Sequence, residues 1–236
     1  MTVSWSEPSY HSPLDSMTLL DGDVGELPRR RWPAGAVPLM LRLPGAGLVL
    51  GMDRHNAAVA VPVFGPDQCR VGIVGDLGLA QFVALRLLGA ACELTVVTGR
   101  PQAWAAVRAA AAETPFIVTD RIARWPSEGS RAPRALLVDM PEAPTAGFGR
   151  APWSTVLHLA SEAPAASVWW QSTHVVLAAP GSQSSVAALR PRVDVGELDR
   201  MRTQEVAAIE GNDVMVFVPL PSAAERNVLD GTGRSF

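Results

Sequence analysis

Polar side chains stand at the ends of several predicted strands, where a ligand could contact them. Thr98 closes one apolar run of the sequence, and Asp120 and Asp139 directly follow two others. Ligands of open α/β sheets bind outside the carboxyl ends of the strands, so these positions are candidates for a binding crevice. An aspartate after a strand is also a common turn or capping residue, and this structural role is the alternative interpretation.

The turn before the first long predicted helix contains glycines, as phosphate-binding turns do. Residues 75–80 read Gly-Asp-Leu-Gly-Leu-Ala. A dinucleotide fingerprint needs G-x-G-x-x-G and an acid at the end of the next strand. Here Leu77 replaces the middle glycine, Asp76 would repel phosphate, and Arg100 stands near the end of the next strand. The pattern favours an ordinary tight turn in which Gly78 lets the helix approach the strand, although an arginine at that place could suit a phosphorylated ribose.

These positions together define one hypothetical ligand crevice without a catalytic residue. A nucleotide or a nucleotide sugar is the class of ligand that such a crevice would take. The predicted crevice residues are Gly75, Gly78, Thr98, Arg100, Asp120 and Asp139.

The composition excludes several kinds of enzyme. All 20 residues counted as lysine or arginine are arginine, because the sequence contains no lysine. Schiff-base enzymes, pyridoxal-phosphate enzymes, Walker-type phosphate loops and protein kinases each need a lysine amine. The chain is therefore more typical of a protein without catalytic activity than of an enzyme.

The histidines and cysteines do not form a recognisable metal site. Cys69 and Cys92 mark the starts of two consecutive predicted strands, and we expect both to be buried free thiols. No histidine shares metal-ligand spacing with another histidine or with a cysteine, so we predict no metal and no cofactor. The four histidines are His11, His55, His158 and His174.

Charge and hydropathy indicate a cytoplasmic protein. The net charge is -3, and the one basic run, residues 29–31, is typical of a solvated linker, so nucleic acid is not an expected partner. The amino terminus lacks the basic and apolar regions of a signal peptide, and no stretch has the roughly 20 apolar residues that a membrane span needs.

The order of apolar segments predicts an α/β fold. Residues 1–33 are polar and aperiodic, and we expect a flexible tail. Residues 34–66 contain three short apolar runs, at 38–43, 47–52 and 57–64, which predict a small antiparallel β element.

Residues 67–236 alternate strand and helix patterns, beginning with an apolar run at 71–75, a helical pattern at 77–91 and a second apolar run at 94–97. The chain is thus predicted to form one domain over residues 34–236, with a Rossmann-like, mostly parallel sheet covered by helices on both faces.

Several short motifs follow one another between residues 51 and 104. They are a G-x-D-R hairpin at 51–54, an F-x-P turn at 64–66, an R-V-x-x-V-G strand at 70–75, an L-G-A helix end at 88–90, and a V-V-T-x-R-P junction at 96–101 followed by Trp104. In combination they resemble the cytosolic domain of the EccE family of actinobacterial type VII (ESX) secretion systems. Residues 151–159 and 168–178 look similar to that family's later strand and helix.

The resemblance implies a Rossmann-like or degenerate glycosyltransferase-like domain. It also implies a structural subunit at the cytoplasmic face of a secretion membrane complex, with other secretion components as partners. Members of that family carry transmembrane helices ahead of the domain, whereas no membrane span is predicted in this sequence. This chain is therefore expected to reach the membrane through its partners. A nucleotide or nucleotide-sugar binding domain is the alternative function.

Overall fold

The computed structural model describes residues 47–111, 114–122, 125, 133–145 and 151–230. The predicted tail at 1–33, the basic run at 29–31 and the predicted strand at 38–43 lie outside these ranges. Most of the polar stretch 124–134, which its composition predicts to be a loop, also lies outside them.

The described residues form a 10-stranded sheet in the order β2-β1-β10-β9-β8-β3-β7-β6-β4-β5. The strand bounds are β1 Gly47–Asp53, β2 Ala58–Pro62, β3 Cys69–Val74, β4 Glu93–Thr98, β5 Phe116–Thr119, β6 Arg134–Asp139, β7 Ser154–Ala160, β8 Val175–Ala178, β9 Val206–Glu210 and β10 Asp213–Pro219. The run from β8 to β5 pairs in parallel, and the four remaining pairings are antiparallel. The predicted α/β fold with a mostly parallel sheet and a small antiparallel part is confirmed.

The antiparallel part is continuous with the parallel sheet. The β1–β2 hairpin pairs with β10, which in turn pairs with β9 and so reaches the parallel strands. The sequence Gly-Asn-Asp at 211–213 predicts a hairpin, and this turn joins β9 to β10. Gly211 has a φ of +61°, a left-handed conformation that favours glycine. Strands from both ends of the described chain therefore complete one edge of the sheet.

Helices cover both faces of the sheet, as the sequence predicts. Buried side chains of α1, α2 and α6 belong to one hydrophobic cluster, and those of α3, α4 and α5 belong to the other. The alanine-rich stretch 101–112, which opens with a proline, predicts a further helix, and it begins as a 3₁₀ turn, Pro101–Trp104, before α2. The helix bounds are α1 Leu77–Gly89, α2 Ala105–Ala110, α3 Val168–Gln171, α4 Gln183–Leu189, α5 Val195–Asp199 and α6 Ala223–Asp230.

Ser222 and Glu225 have the sequence spacing of a capping box, and the structure has one at the start of α6. The backbone N–H of Ser222 donates to the Glu225 carboxylate at 2.6 Å, and the N–H of Glu225 donates to the Ser222 hydroxyl at 3.2 Å. Glu225 also pairs with Arg86 of α1 at 3.0 Å. One carboxylate therefore satisfies a free donor at the start of α6 and joins this helix to α1.

The G-x-D-R motif of the β1–β2 hairpin consists of residues that have structural roles. A Cβ on Gly51 would lie 2.0 Å from the carbonyl oxygen of Val218, so only glycine allows β1 this close to β10. Asp53 accepts backbone hydrogen bonds within the turn. Arg54 donates from Nε and Nη2 to the buried Glu205, each at 3.3 Å, and so attaches the hairpin to the chain before β9.

The two cysteines are free and buried, as the sequence predicts. Burial raises the pKa of each thiol to about 12, so neither forms a reactive thiolate near neutral pH. Cys69 begins β3 and Cys92 precedes β4, but β7 and β6 lie between these strands. The sequential βαβ strands are therefore not neighbours in the sheet.

Candidate functional site

A crevice of about 900 Å³ opens at the carboxyl edge of the parallel strands, and its lining comes from the chain that follows β3, β4, β6 and β7. The connection that leaves β3 passes β7 and β6 to reach β4, whereas the connection that leaves β7 passes β3 to reach β8. The crossover direction thus reverses between β3 and β7. Open α/β sheets bind their ligands at such a reversal, which makes this crevice the candidate functional site.

A buried carboxylate at the base of the crevice receives several hydrogen bonds. Asp139, at the end of β6, accepts hydrogen bonds from the Thr98 hydroxyl at 2.8 Å and from the Trp104 indole N–H at 3.0 Å. Arg100 donates from Nε at 3.0 Å and from Nη2 at 2.6 Å. We call these four residues the Asp139 cluster, and its hydrogen bonds engage both carboxylate oxygens.

The junction after β4 positions the donors of the Asp139 cluster. Thr98 ends the strand, and its hydroxyl also accepts the backbone N–H of Arg100 at 3.0 Å. Pro101 then opens the 3₁₀ turn that carries Trp104 into the core. The T-x-R-P motif and the following tryptophan therefore converge on one carboxylate.

Arg100 is the cluster member that solvent reaches. Its side chain is 54% exposed, whereas that of Asp139 is 5% exposed. Hydrogen bonding to Asp139 raises the pKa of Arg100, with a smaller opposing effect of burial. The guanidinium is thus a fixed cation in the crevice, oriented by two parallel hydrogen bonds.

The structure gathers four of the six predicted crevice residues. Gly75, Arg100 and Asp139 line the crevice, and the Thr98 hydroxyl donates a hydrogen bond to Asp139. Gly78 is buried in the first turn of α1 and does not line the crevice. Asp120 follows the edge strand β5, has a side chain that is 77% exposed, and lies outside the crevice lining.

Three further residues belong to this site but are not among the six predicted crevice residues. Trp104 resembles a core aromatic in sequence, but its indole N–H needs an acceptor when buried, and that requirement was the available signal. Asp76 and Glu162 also line the crevice. Both follow predicted strands, as Asp139 does, and so stand at the same edge of the sheet.

The start of α1 carries its own anion. The Asp76 side chain caps the helix and accepts the backbone N–H of Leu79 at 3.1 Å. A helix start can bind phosphate through such N–H groups and through the helix dipole. At α1 a carboxylate of the chain already interacts with them, which disfavours a phosphate at this place.

A buried histidine of β7, His158, contacts a residue that lines the crevice. The Nε2 of His158 lies 2.9 Å from the carbonyl oxygen of Met140, and its Nδ1 accepts the Trp170 indole N–H at 2.8 Å. These partners require the neutral tautomer that is protonated on Nε2. Burial lowers the pKa of His158, against smaller raising effects of the Met140 hydrogen bond and the Asp139 charge. His158 is therefore a structural residue.

We expect His158 to make the protein less stable in acid. The pKa of His158 is lowered in the folded protein, so below about pH 6.5 this histidine binds a proton in the unfolded chain but not in the folded protein. This contribution to stability is present above pH 6.5 and is lost as the pH falls from there toward the lowered pKa, by about 1.4 kcal/mol per pH unit. Urea denaturation between pH 5 and 8 should show that the free energy of unfolding changes less steeply with pH in His158→Gln than in the wild type. An equal pH dependence of the two proteins would contradict the assignment.

The described residues contain no group of three or more potential metal ligands. Within the same ranges, no helix is both long and apolar enough to cross a membrane.

Comparison with known proteins places the chain in no family. No family model matches it, and no curated protein matches it. Among solved structures, it is similar to the genome packaging NTPase B204 of Sulfolobus turreted icosahedral virus 2. The complex with AMPPCP has a TM-score of 0.47 and 7% identity over 66% of this chain and 100% of the other. The complex with ATP-gammaS has a TM-score of 0.42 and 6% identity over 67% and 100%. Similarity at this level carries no conclusion about function.

Proposed function

We propose that this protein is a non-enzymatic structural or adaptor subunit of a type VII-like (ESX) protein secretion apparatus. It acts at the cytoplasmic face of the membrane complex and binds other secretion components. The single observation that supports a non-enzymatic role is the hydrogen bonding of Asp139. This carboxylate has the position of a reactive group, yet hydrogen bonds from Thr98, Arg100 and Trp104 already engage both of its oxygens.

The motifs behind the resemblance support a structural role. Residues of the G-x-D-R motif hold the β1–β2 hairpin, and residues of the T-x-R-P motif hold Asp139. Motifs that fix a backbone and leave no exposed nucleophile or base are typical of a scaffold. The assignment to a secretion apparatus rests on the resemblance.

Affinity purification and deletion in the native host test this function. The tagged protein should co-purify from detergent-solubilised membranes with the membrane components and ATPase of the secretion apparatus. Deletion should reduce export of the small secreted substrates, and the wild-type gene should restore it. Normal export after deletion, with no secretion component in the purified sample, would exclude the proposed role.

The crevice itself favours one alternative, a domain that binds a nucleotide or nucleotide sugar. Its volume is about 900 Å³, and it lies where the crossover direction reverses. A phosphate at the start of α1 would have to displace the Asp76 carboxylate. The two functions therefore predict different responses to removal of that charge.

Calorimetric titration with ATP, UDP-glucose and NAD distinguishes the two functions. Under our proposal neither the wild type nor Asp76→Asn binds these ligands at about 1 mM, a concentration that would saturate an ordinary nucleotide site. Asparagine caps a helix as well as aspartate does, so the variant keeps the fold and loses only the charge. Binding by the wild type that becomes several-fold tighter in Asp76→Asn would establish the alternative.

A further inference from the structure

The antiparallel end of the sheet has one face with exposed apolar side chains. Directly paired residues of antiparallel strands point to the same side, and so do alternate residues of one strand. Val49 pairs with Ala60, and Met52 pairs with both Ala58 and Val218, so all five side chains share one side. Val49 is 47% exposed and Val218 is 37% exposed. Ala58 and Ala60 are exposed as well, and Met52 is half-buried. We call these five residues the outer face.

The helical layer on this side of the sheet ends at β10. Val216 belongs to the same hydrophobic cluster as Leu198 of α5, and no described residue of β1 or β2 belongs to it. Val218 lies two residues beyond Val216 on the same face and is exposed. The opposite face of the β1–β2 hairpin is buried in the cluster that contains α1. Its buried residues are Leu48, Leu50, Val59 and Val61.

The sequence of the hairpin is that of strands packed on both sides. β2 reads Ala-Val-Ala-Val-Pro, and β1 contains only glycine and apolar residues before Asp53. Antiparallel strands with one solvated face alternate apolar and polar residues, whereas strands buried on both faces are apolar throughout. Contiguous apolar surface of this kind marks a site of interaction with another molecule.

The charge and size of the outer face favour a second copy of this chain as that molecule. Interfaces between identical subunits are more apolar than the ordinary protein surface, whereas non-obligate interfaces with other proteins are about as polar as that surface. The outer face has no ionisable group, so two copies meet without repulsion between like charges. Five residues are few beside the roughly 20–30 that each partner of a standard interface contributes. A twofold pair buries this small face on both copies at once.

We propose that two copies of this chain associate weakly, outer face against outer face, about a twofold axis at β1. β1 lies between β2 and β10 in the sheet, so Val49 stands near the axis. The small side chains of Ala58 and Ala60 allow the two sheets to reach the roughly 10 Å spacing of packed sheets. The hairpin offers a fixed surface, because Arg54 attaches it to Glu205. This pairing goes beyond the adaptor role and does not depend on it.

Sedimentation velocity of the full chain tests the association. Between about 2 and 300 µM the mass should rise from that of one chain toward that of two, with a dissociation constant in the micromolar range. A mass that stays at one chain throughout would overturn the proposal. A mass that rises past two chains without limit would also overturn it, because a twofold pair is closed.

A charge at the centre of the outer face should prevent the pairing. Val49→Glu brings two carboxylates together across the axis and should weaken the association at least about tenfold. Ile117→Glu is the matched control, because Ile117 is 56% exposed on β5 at the other edge of the sheet. It should associate as the wild type does. Both changes are at exposed positions, so the melting temperature of each variant should stay within about 3 °C of the wild type. Wild-type association by Val49→Glu would overturn the proposal.

Mixing opposite charges shows whether the partner is a second copy. Val49→Arg alone should associate as weakly as Val49→Glu, but an equimolar mixture of the two should recover association close to that of the wild type. A mixture that associates no better than its components would overturn the axis at β1. If the wild type stays monomeric and Val49→Glu alone loses a co-purifying secretion component, the face belongs to a different protein and the pairing is wrong. Co-purification and export decide the adaptor function separately from the pairing.

Discussion

Replacing Asp139 with alanine is expected to lower the free energy of unfolding by about 3–5 kcal/mol, because it leaves buried donors and a positive charge without their acceptor. The Trp104 indole N–H and the Thr98 hydroxyl both donate to Asp139 from buried positions. Arg100 loses both of its hydrogen bonds to the carboxylate, although solvent reaches this side chain and lessens its share of the cost. A loss of this size is a large part of the stability of an ordinary domain.

Urea denaturation of Asp139→Ala and Asp120→Asn tests this expectation. Asp120 also follows a parallel strand, but its side chain is 77% exposed, so its replacement should change the stability by no more than about 0.5 kcal/mol. The double variant Asp139→Asn/Arg100→Gln should lose less free energy of unfolding than the single variants Asp139→Asn and Arg100→Gln lose together. Each single change leaves the other partner unsatisfied, whereas the double variant removes both charges. A cost below about 1 kcal/mol for Asp139→Ala would show that the cluster contributes little to stability.

The difference between Asp139 and Asp120 shows how far sequence reasoning reaches. Both residues follow apolar strands, so the pattern predicts the same environment for each. The crevice depends on which strands are neighbours, and β5 stands at the edge of the sheet while β6 lies inside it. Strand order arises from contacts between distant parts of the chain, which local periodicity does not encode.

Local patterns predicted the elements better than their arrangement. The alternation of apolar runs and helical patterns predicted a parallel sheet with helices on both faces, and the turn at Gly211 predicted a hairpin. Neither pattern indicated that β1 pairs with β10 or that β7 and β6 separate β3 from β4. Those pairings need close approaches such as the one at Gly51, whose reason is visible only when Val218 lies opposite.

Gly72→Ala is expected to lower the free energy of unfolding by about 2–3 kcal/mol through overpacking in the centre of the sheet. A Cβ at this position of β3 would lie 2.3 Å from an atom of the Trp170 ring. The indole cannot simply move aside, because its N–H donates to His158, and His158 pairs directly with Gly72 across β3 and β7. A methyl group therefore displaces the ring, the hydrogen bond or the strand.

Two comparisons isolate this contact from the general effect of replacing a glycine. A Cβ on Gly89, at the end of α1, would meet no atom within 4 Å, so Gly89→Ala should be neutral or should stabilise the protein by about 0.5–1 kcal/mol. In a Trp170→Leu background the branched side chain leaves the space that the ring filled, and Gly72→Ala should then cost less than about 1 kcal/mol. The same cost in both backgrounds would show that the indole is not what requires glycine at this position, and that the constraint lies in the backbone of β3.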